Sequence, residues 1–195
     1  MAGKAQSVVF DQASRPFALY LHWPFCRAKC PYCDFNSHVS NDVDTKIFGD
    51  ALCTEMTHMA SLMPSRPPLS SLFFGGGTPS LMPPVLVERL IRHAEDLFGF
   101  TDDIEITAEA NPTSVEAEAM LGFQKAGVNR VSMGVQSLDD AGLKFLGREH
   151  SAADALQALD KVNKAFDRVS IDLIYALPDQ SPKAWQAMLG QALSL

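Results

Sequence analysis

The sequence predicts an α/β fold in which parallel strands form a partial barrel, with helices outside and a polar lumen within. Two observations carry this prediction. Strand-like and helix-like segments alternate five times along 195 residues, the pattern of parallel strands joined by right-handed crossovers. The strands also have one apolar and one polar face. Ile104, Ile106 and Ala108 oppose Glu105, Thr107 and Glu109, while Val131, Met133 and Val135 oppose Arg130, Ser132, Gly134 and Gln136. Val169, Ile171 and Leu173 oppose Ser170 and Asp172, and Leu19, Leu21 and Trp23 oppose Tyr20 and His22. A doubly wound sheet, covered on both faces, has strands that are apolar nearly throughout. A closed eight-fold barrel fills its interior with branched aliphatic side chains. Neither matches this alternation, which leaves a lumen able to hold a ligand.

Residues 1–16 read as a short polar tail, and 17–195 as one core domain. Phe17 to Trp23 is the first strand, stopped by Pro24. From Val43 to Met63, apolar residues at 43, 47, 48, 51, 52, 56, 59 and 63 give helical spacing, ended by Pro64 and the Pro67-Pro68 pair. Leu69 to Phe74 is the second strand, and Pro83 to Phe98 a helix with prolines suited to its first turn. Asp103 to Ala108 is the third strand, followed by a helix from Ser114 to Ala126 that Gly127 closes. Arg130 to Gln136 is the fourth strand; helices over Asp139–Leu146 and Ser151–Asn163 follow. Arg168 to Tyr175 is the fifth strand, and Ser181-Pro182 opens a helix expected to run on through Leu195. That helix has no turn or polar tail after it, so the chain reads as the N-terminal part of a longer protein. A span left with an uncovered apolar face and strand edge is expected to be poorly soluble alone.

Composition narrows the function classes. Hydrophobic residues make up 47% and charged residues 20%, which gives a real core and argues against disorder. The net charge of −7 comes with no basic stripe, so nucleic acid is not an expected partner. The N-terminus has no apolar signal-peptide core, and no run approaches the ~18 apolar residues that cross a bilayer. The expected compartment is the cytoplasm. Three of the four cysteines fall within eight residues, which in that setting points to metal or redox chemistry rather than disulfides.

The cysteines are spaced C-x3-C-x2-C, at Cys26, Cys30 and Cys33, just after the first strand. Three thiolates can hold three irons of a [4Fe–4S] cluster and leave the fourth open, with Arg27 and Lys29 favouring the thiolate forms. The same spacing also suits a structural zinc whose fourth ligand is His38. A second motif, Gly75-Gly76-Gly77-Thr78-Pro79-Ser80, leaves the end of the second strand. Its glycines let backbone groups approach a ligand closely. Both motifs sit at C-terminal strand ends, the rim where parallel α/β barrels place their sites, and a zinc clip has no use for the glycine loop.

Six ordered motifs resemble the radical S-adenosylmethionine superfamily: Tyr20-Leu-His-Trp-Pro-Phe-Cys26, Cys30-Pro-Tyr-Cys33, the glycine run, Glu109-Ala-Asn-Pro112, Ser132-Met-Gly-Val-Gln-Ser137 and Ile171-Asp-Leu-Ile-Tyr-Ala-Leu-Pro178. Within it they are similar to the HemN/HemW branch, which contains the oxygen-independent coproporphyrinogen III oxidase and a haem chaperone. The resemblance implies a (β/α)6 TIM-like partial barrel, of which about five units are present here. The sixth unit and the C-terminal region would lie beyond Leu195. It further implies that Cys26, Cys30 and Cys33 bind a [4Fe–4S] cluster whose open iron chelates S-adenosylmethionine. One electron, from a reductant such as flavodoxin or ferredoxin, would cleave that molecule to methionine and a 5′-deoxyadenosyl radical. Tyr20 resembles the aromatic residue beneath the nucleotide, and Tyr32 the one beside the cluster. Gly76, Gly77 and Thr78 match the positions that bind the methionine moiety, and Glu109, Gln136, Arg148 and Asp172 the remaining cofactor contacts.

Plainer roles stand beside several of these. Glu109 is also placed to cap the turn signalled by Asn111-Pro112. Arg148 is as well suited to a solvated position near Glu149 as to a carboxylate contact. Gln136 and Asp172 face inward by strand parity, where an unpaired polar group is costly. Cys53 reads as a buried helical thiol and His22 as a satisfied core histidine; His58, His93 and His150 carry no signal.

Two departures choose within the branch. The oxidase pattern has a further cysteine two positions after the third motif cysteine, where this chain has Phe35. The oxidase also has a longer segment before its first strand. Both resemble the haem chaperone, which implies haem or porphyrin and haem-acceptor proteins as partners. The alternatives are the oxidase activity itself and, in a different class, a zinc-stapled binding module.

Overall fold

The computed structural model describes residues 16–40 and 42–195. Of the tail expected over residues 1–16, all but Pro16 lies outside the described residues. The chain runs β1 (Ala18–Trp23), β2 (Phe25–Cys26), β3 (His38–Val39), α1 (Thr45–Leu62), β4 (Leu69–Gly76), a 3-10 turn (Pro79–Leu81) and α2 (Pro84–Phe98). It continues through β5 (Phe100–Ala110), α3 (Ser114–Ala126), β6 (Arg130–Gln136), α4 (Asp140–Phe145), α5 (Ala152–Asn163), β7 (Val169–Leu173) and α6 (Pro182–Ala192).

Five strands form one parallel sheet in the order β1-β4-β5-β6-β7, so each pairs with the strand that precedes it in the sheet. Among the described residues β1 and β7 are its open edges. This is the α/β partial barrel that the strand parity predicts, with about five β/α units. Helix starts follow the sequence. Asp44, Thr113, Asp139, Ser151 and Ser181 each accept a hydrogen bond from a first-turn N–H, which satisfies a donor the helix leaves unpaired. Gly127 takes the left-handed conformation (φ 111°) that closes α3.

The core lies between the outer strand face and the helices. Leu72, Phe74, Val131 and Met133 pack there with Val87 and Leu90 of α2, Met120 and Phe123 of α3, and Val162 of α5, all at 0% exposure. Burying one such side chain contributes about 1.5–3 kcal/mol. The opposite strand face carries polar groups. Arg130 donates to Glu105, Thr107 and Ser170, which closes the lower lumen with paired charges and hydroxyls.

The last unit departs from expectation. The final helix does not run to Leu195: it ends at Ala192 with Leu193 as its cap, and Leu193 is 81% exposed. None of its residues is buried, and β7 has no fully buried residue either. Leu189 and Leu193 share a helix face that meets too little apolar surface to bury it. The strand before it is also shorter than expected, because the chain leaves β7 after Leu173 for a loop in which Ala176 and Asp179 take positive φ.

Candidate functional site

The cysteine loop is tied down at its base. After Pro24, β2 pairs with β3, the Pro24 and Cys26 carbonyls accepting from the His38 and Ser40 N–H groups at 2.7 and 3.1 Å. Trp23, Phe25 and Phe48 pack edge-to-face beneath it, with ring centroids 5.0–5.3 Å apart. The Cys33 N–H donates to the Cys30 carbonyl at 3.0 Å, making a tight turn between the second and third cysteines. Lys29 turns inward to the Ser37 carbonyl at 3.5 Å. All three thiols are free, with Cys26 buried.

The glycine loop is laced onto that base. Gly77 N–H donates to Trp23 O at 2.7 Å and Thr78 N–H to Phe25 O at 2.9 Å. A Cβ on Gly77 would sit 2.8 Å from Phe25 O and 2.9 Å from Cys26 Sγ, so only glycine lets the two loops touch. Gly76, at φ 118°, turns its N–H to Glu109 Oε2 at 3.2 Å. Burial is the first cause that pushes the Glu109 carboxyl above its usual range, and the nearby Asp172 charge adds to it. Ser132 Oγ donates to the Asp172 carboxylate at 3.4–3.5 Å. Gln136 takes the left-handed conformation, φ 67°, at the bend where β6 ends.

Arg148 lies on the loop after α4, half-buried. Its Nη2 donates to Asn111 Oδ1 at 2.7 Å and Gly134 O at 3.0 Å; its Nη1 donates to Cys30 Sγ and Tyr32 Oη, each at 3.4 Å. These contacts exclude the solvated position that the sequence left open. Glu109 likewise does not cap the Asn111-Pro112 turn; Thr113 and Glu116 serve that turn and the helix behind it.

These elements surround one cavity of about 480 Å³, an ordinary size for a cofactor site. Eleven of the twelve predicted site residues line it: Cys26, Cys30, Cys33, Tyr32, Gly76, Gly77, Thr78, Glu109, Gln136, Arg148 and Asp172. Tyr20 does not. It is 54% exposed, stacks on Phe73 and shares a hydrogen bond with His22 Nδ1 at 3.0 Å. Sequence reasoning also missed Glu116, buried against Asn111 and Ser80, and the bond from His22 Nε2 to Asn36 O at 2.9 Å. Among the described residues no three His, Cys, Asp or Glu side chains converge on a point as a single ion requires. His38, the fourth ligand of the zinc alternative, is exposed and does not line the cavity. The donor set fits a group that takes one thiolate per metal, with a glycine cradle, two carboxylates and a guanidinium whose buried Nε has no partner.

The sequence pattern of the radical SAM superfamily matches residues 20–192. The chain belongs to the radical SAM superfamily. Membership implies a [4Fe–4S] cluster and S-adenosylmethionine as its cofactors. Among radical SAM proteins the chain is 42% identical over 184 residues to the mitochondrial radical S-adenosyl methionine domain-containing protein 1 of Mus musculus, covering 94% of this chain and 41% of that one. It is 39% identical to the heme chaperone HemW of Haemophilus influenzae, covering 92% and 48%. The solved coproporphyrinogen III oxidase HemN of Escherichia coli superposes with a TM-score of 0.79 at 32% identity, covering 93% and 42%. The chain thus spans less than half the length of each of these three proteins. No helix among the described residues is long and apolar enough to cross a membrane.

Proposed function

We propose that this chain is the cofactor-binding core of a haem chaperone that binds haem and passes it to acceptor proteins. The observation that carries the cofactor part is the meeting of three cysteines, the glycine loop, two carboxylates and Arg148 around one cavity. In this reading Cys26, Cys30 and Cys33 hold the cluster. The Gly76–Thr78 backbone and hydroxyl hold the methionine end of S-adenosylmethionine, and Glu109 and Asp172 accept from its ribose hydroxyls. Arg148 keeps both terminal nitrogens on protein partners and offers the carboxylate of S-adenosylmethionine the one donor left without a partner, Nε. Gln136 fixes the nucleotide from the end of β6 and Tyr32 packs beside the cluster, while Tyr20 stands outside the cavity, stacked on Phe73. When bound, the cluster and S-adenosylmethionine supply one-electron reductive cleavage of the sulfonium, driven by a flavodoxin- or ferredoxin-like reductant. Free thiols at this rim suit a reducing compartment, such as cytoplasm or mitochondrial matrix.

Phe35 favours the chaperone within the branch. It is 57% exposed on the cavity wall, where the oxidase pattern has a further cysteine. Relatives that bear the chaperone name match over nine-tenths of this chain. The second reading, oxidation of coproporphyrinogen, is favoured by the close superposition on the solved oxidase.

Full-length protein, reconstituted anaerobically and given haem, S-adenosylmethionine, a reductant and coproporphyrinogen, separates the two. Retained haem with no vinyl-bearing product is the expected result. Formation of that product overturns the chaperone reading in favour of the oxidase.

A further inference from the structure

Glu116 is 5% exposed, a rare position for a carboxylate without a cationic partner. It opens α3, and its side chain turns between the loops that leave β4 and β5. Its Oε2 accepts from the Asn111 backbone N–H at 2.7 Å and from the Ser80 hydroxyl; its Oε1 accepts from Asn111 Nδ2 at 3.2 Å. The last contact sets the orientation of the Asn111 amide. A carboxylate only accepts, so the donor end of the amide must face Glu116 and the acceptor end must face away. That acceptor, Oδ1, takes the 2.7 Å bond from Arg148 Nη2, and Arg148 Nη1 reaches Cys30 Sγ at 3.4 Å.

We propose that Glu116 is a positioning residue for the cysteine trio: through the Asn111 amide it holds the Arg148 guanidinium on the Cys30 sulfur, and so raises the reduction potential of the cluster held there. This rests on the cluster assignment in the proposed function. An added electron makes an iron–sulfur cluster one charge more negative. A cation that donates an N–H to a ligand sulfur stabilises that state, and such bonds are among the features that set cluster potentials. The benefit depends on fixation, which Asn111 Oδ1 and the Gly134 carbonyl supply together.

Replacing Glu116 by glutamine keeps the shape and inverts the logic. The Asn111 backbone N–H cannot turn, so the glutamine oxygen must stay on it. The glutamine NH2 then faces the Asn111 side chain, whose amide flips and presents a donor to Arg148. The guanidinium loses its best anchor without any loss of packing volume.

The test uses full-length protein and three variants, E116Q, N111A and E118Q, each reconstituted anaerobically without S-adenosylmethionine. Iron and sulfide content are measured first, and the midpoint potential is then read by a redox titration followed by electron paramagnetic resonance. E116Q and N111A are expected to keep the cluster while the reduced-to-oxidised ratio at a fixed potential falls about tenfold, a shift of about 59 mV for one electron. E118Q removes the same charge at an exposed site on the same helix and is expected to leave the midpoint in place. A normal cluster with an unmoved midpoint in E116Q or in N111A overturns the inference, as does an equal fall in E118Q. N111A keeps Glu116, so its unmoved midpoint still overturns the inference if E116Q does not fold. Wild-type protein that takes up no cluster overturns the cofactor assignment instead.

Discussion

Glu109 Oε2 accepts the Gly76 N–H at 3.2 Å and so ties the end of β5 to the glycine loop of the neighbouring strand. The bond favours the ionised carboxyl, but burial and the Asp172 charge outweigh it, and the carboxyl lies above its usual 4.5. The folded state therefore holds this proton more firmly than the unfolded chain does. Stability from this group is complete below pH 4.5 and is lost as the pH rises through the raised value. Glu109→Gln is expected to melt higher than wild type at pH 8, with the advantage shrinking as the pH falls. Its S-adenosylmethionine affinity should drop about 10–100-fold, the worth of a hydrogen bond to a charged group. Thermal melts from pH 5 to 8, with binding measured beside them, check this; equal melting temperatures at pH 8 would refute it.

Gly77→Ala places a Cβ within 2.8–2.9 Å of Phe25 O, Pro24 C and Cys26 Sγ, two of them backbone atoms that cannot swing aside. Iron and sulfide per chain should fall severalfold after reconstitution. Gly190→Ala is the control, since nothing lies within 4 Å of its Cβ and it sits inside α6. That change should leave iron content alone and stabilise the helix by about 0.5–1 kcal/mol. Full cluster content in Gly77→Ala would show that the two loops need not touch.

His22 joins the lumen to the cysteine loop. A carbonyl only accepts, so the Asn36 contact puts the ring proton on Nε2 and leaves Nδ1 to accept from the Tyr20 hydroxyl. His22→Ala is expected to cost about 1 kcal/mol of stability. Amide exchange in 31–37 should speed up severalfold while the α2 amides stay protected. Uniform acceleration across the chain would mean that His22 serves the whole fold rather than this loop.

Much of the fold was legible because strand faces alternate cleanly: Thr107 and Glu109 point inward, and Ile106 and Ala108 pack on helices. The cysteines, glycines and inward strand residues were legible for a related reason, since each belongs to a compact motif or to a strict period of two. Glu116 was not. Its partners Ser80 and Asn111 come from two different loops, and a glutamate near a helix start looks the same in sequence whether it is exposed or buried. Arg148 was ambiguous because its ligands lie 14, 37 and 118 residues away, beyond any local pattern. The β2–β3 pair was invisible because two residues per strand give no period. Tyr20 faces the lumen as its parity requires, yet parity could not tell the lumen's depth from its mouth.

The separation of 118 positions between Cys30 and Arg148 has a consequence during synthesis. At five to twenty residues per second, a ribosome takes roughly 6–24 s to make that stretch. The nascent chain therefore emerges with its sulfurs bare, long before the guanidinium that will lie over one of them exists. Whatever delivers iron, and whatever oxidises thiols, competes for them during that interval.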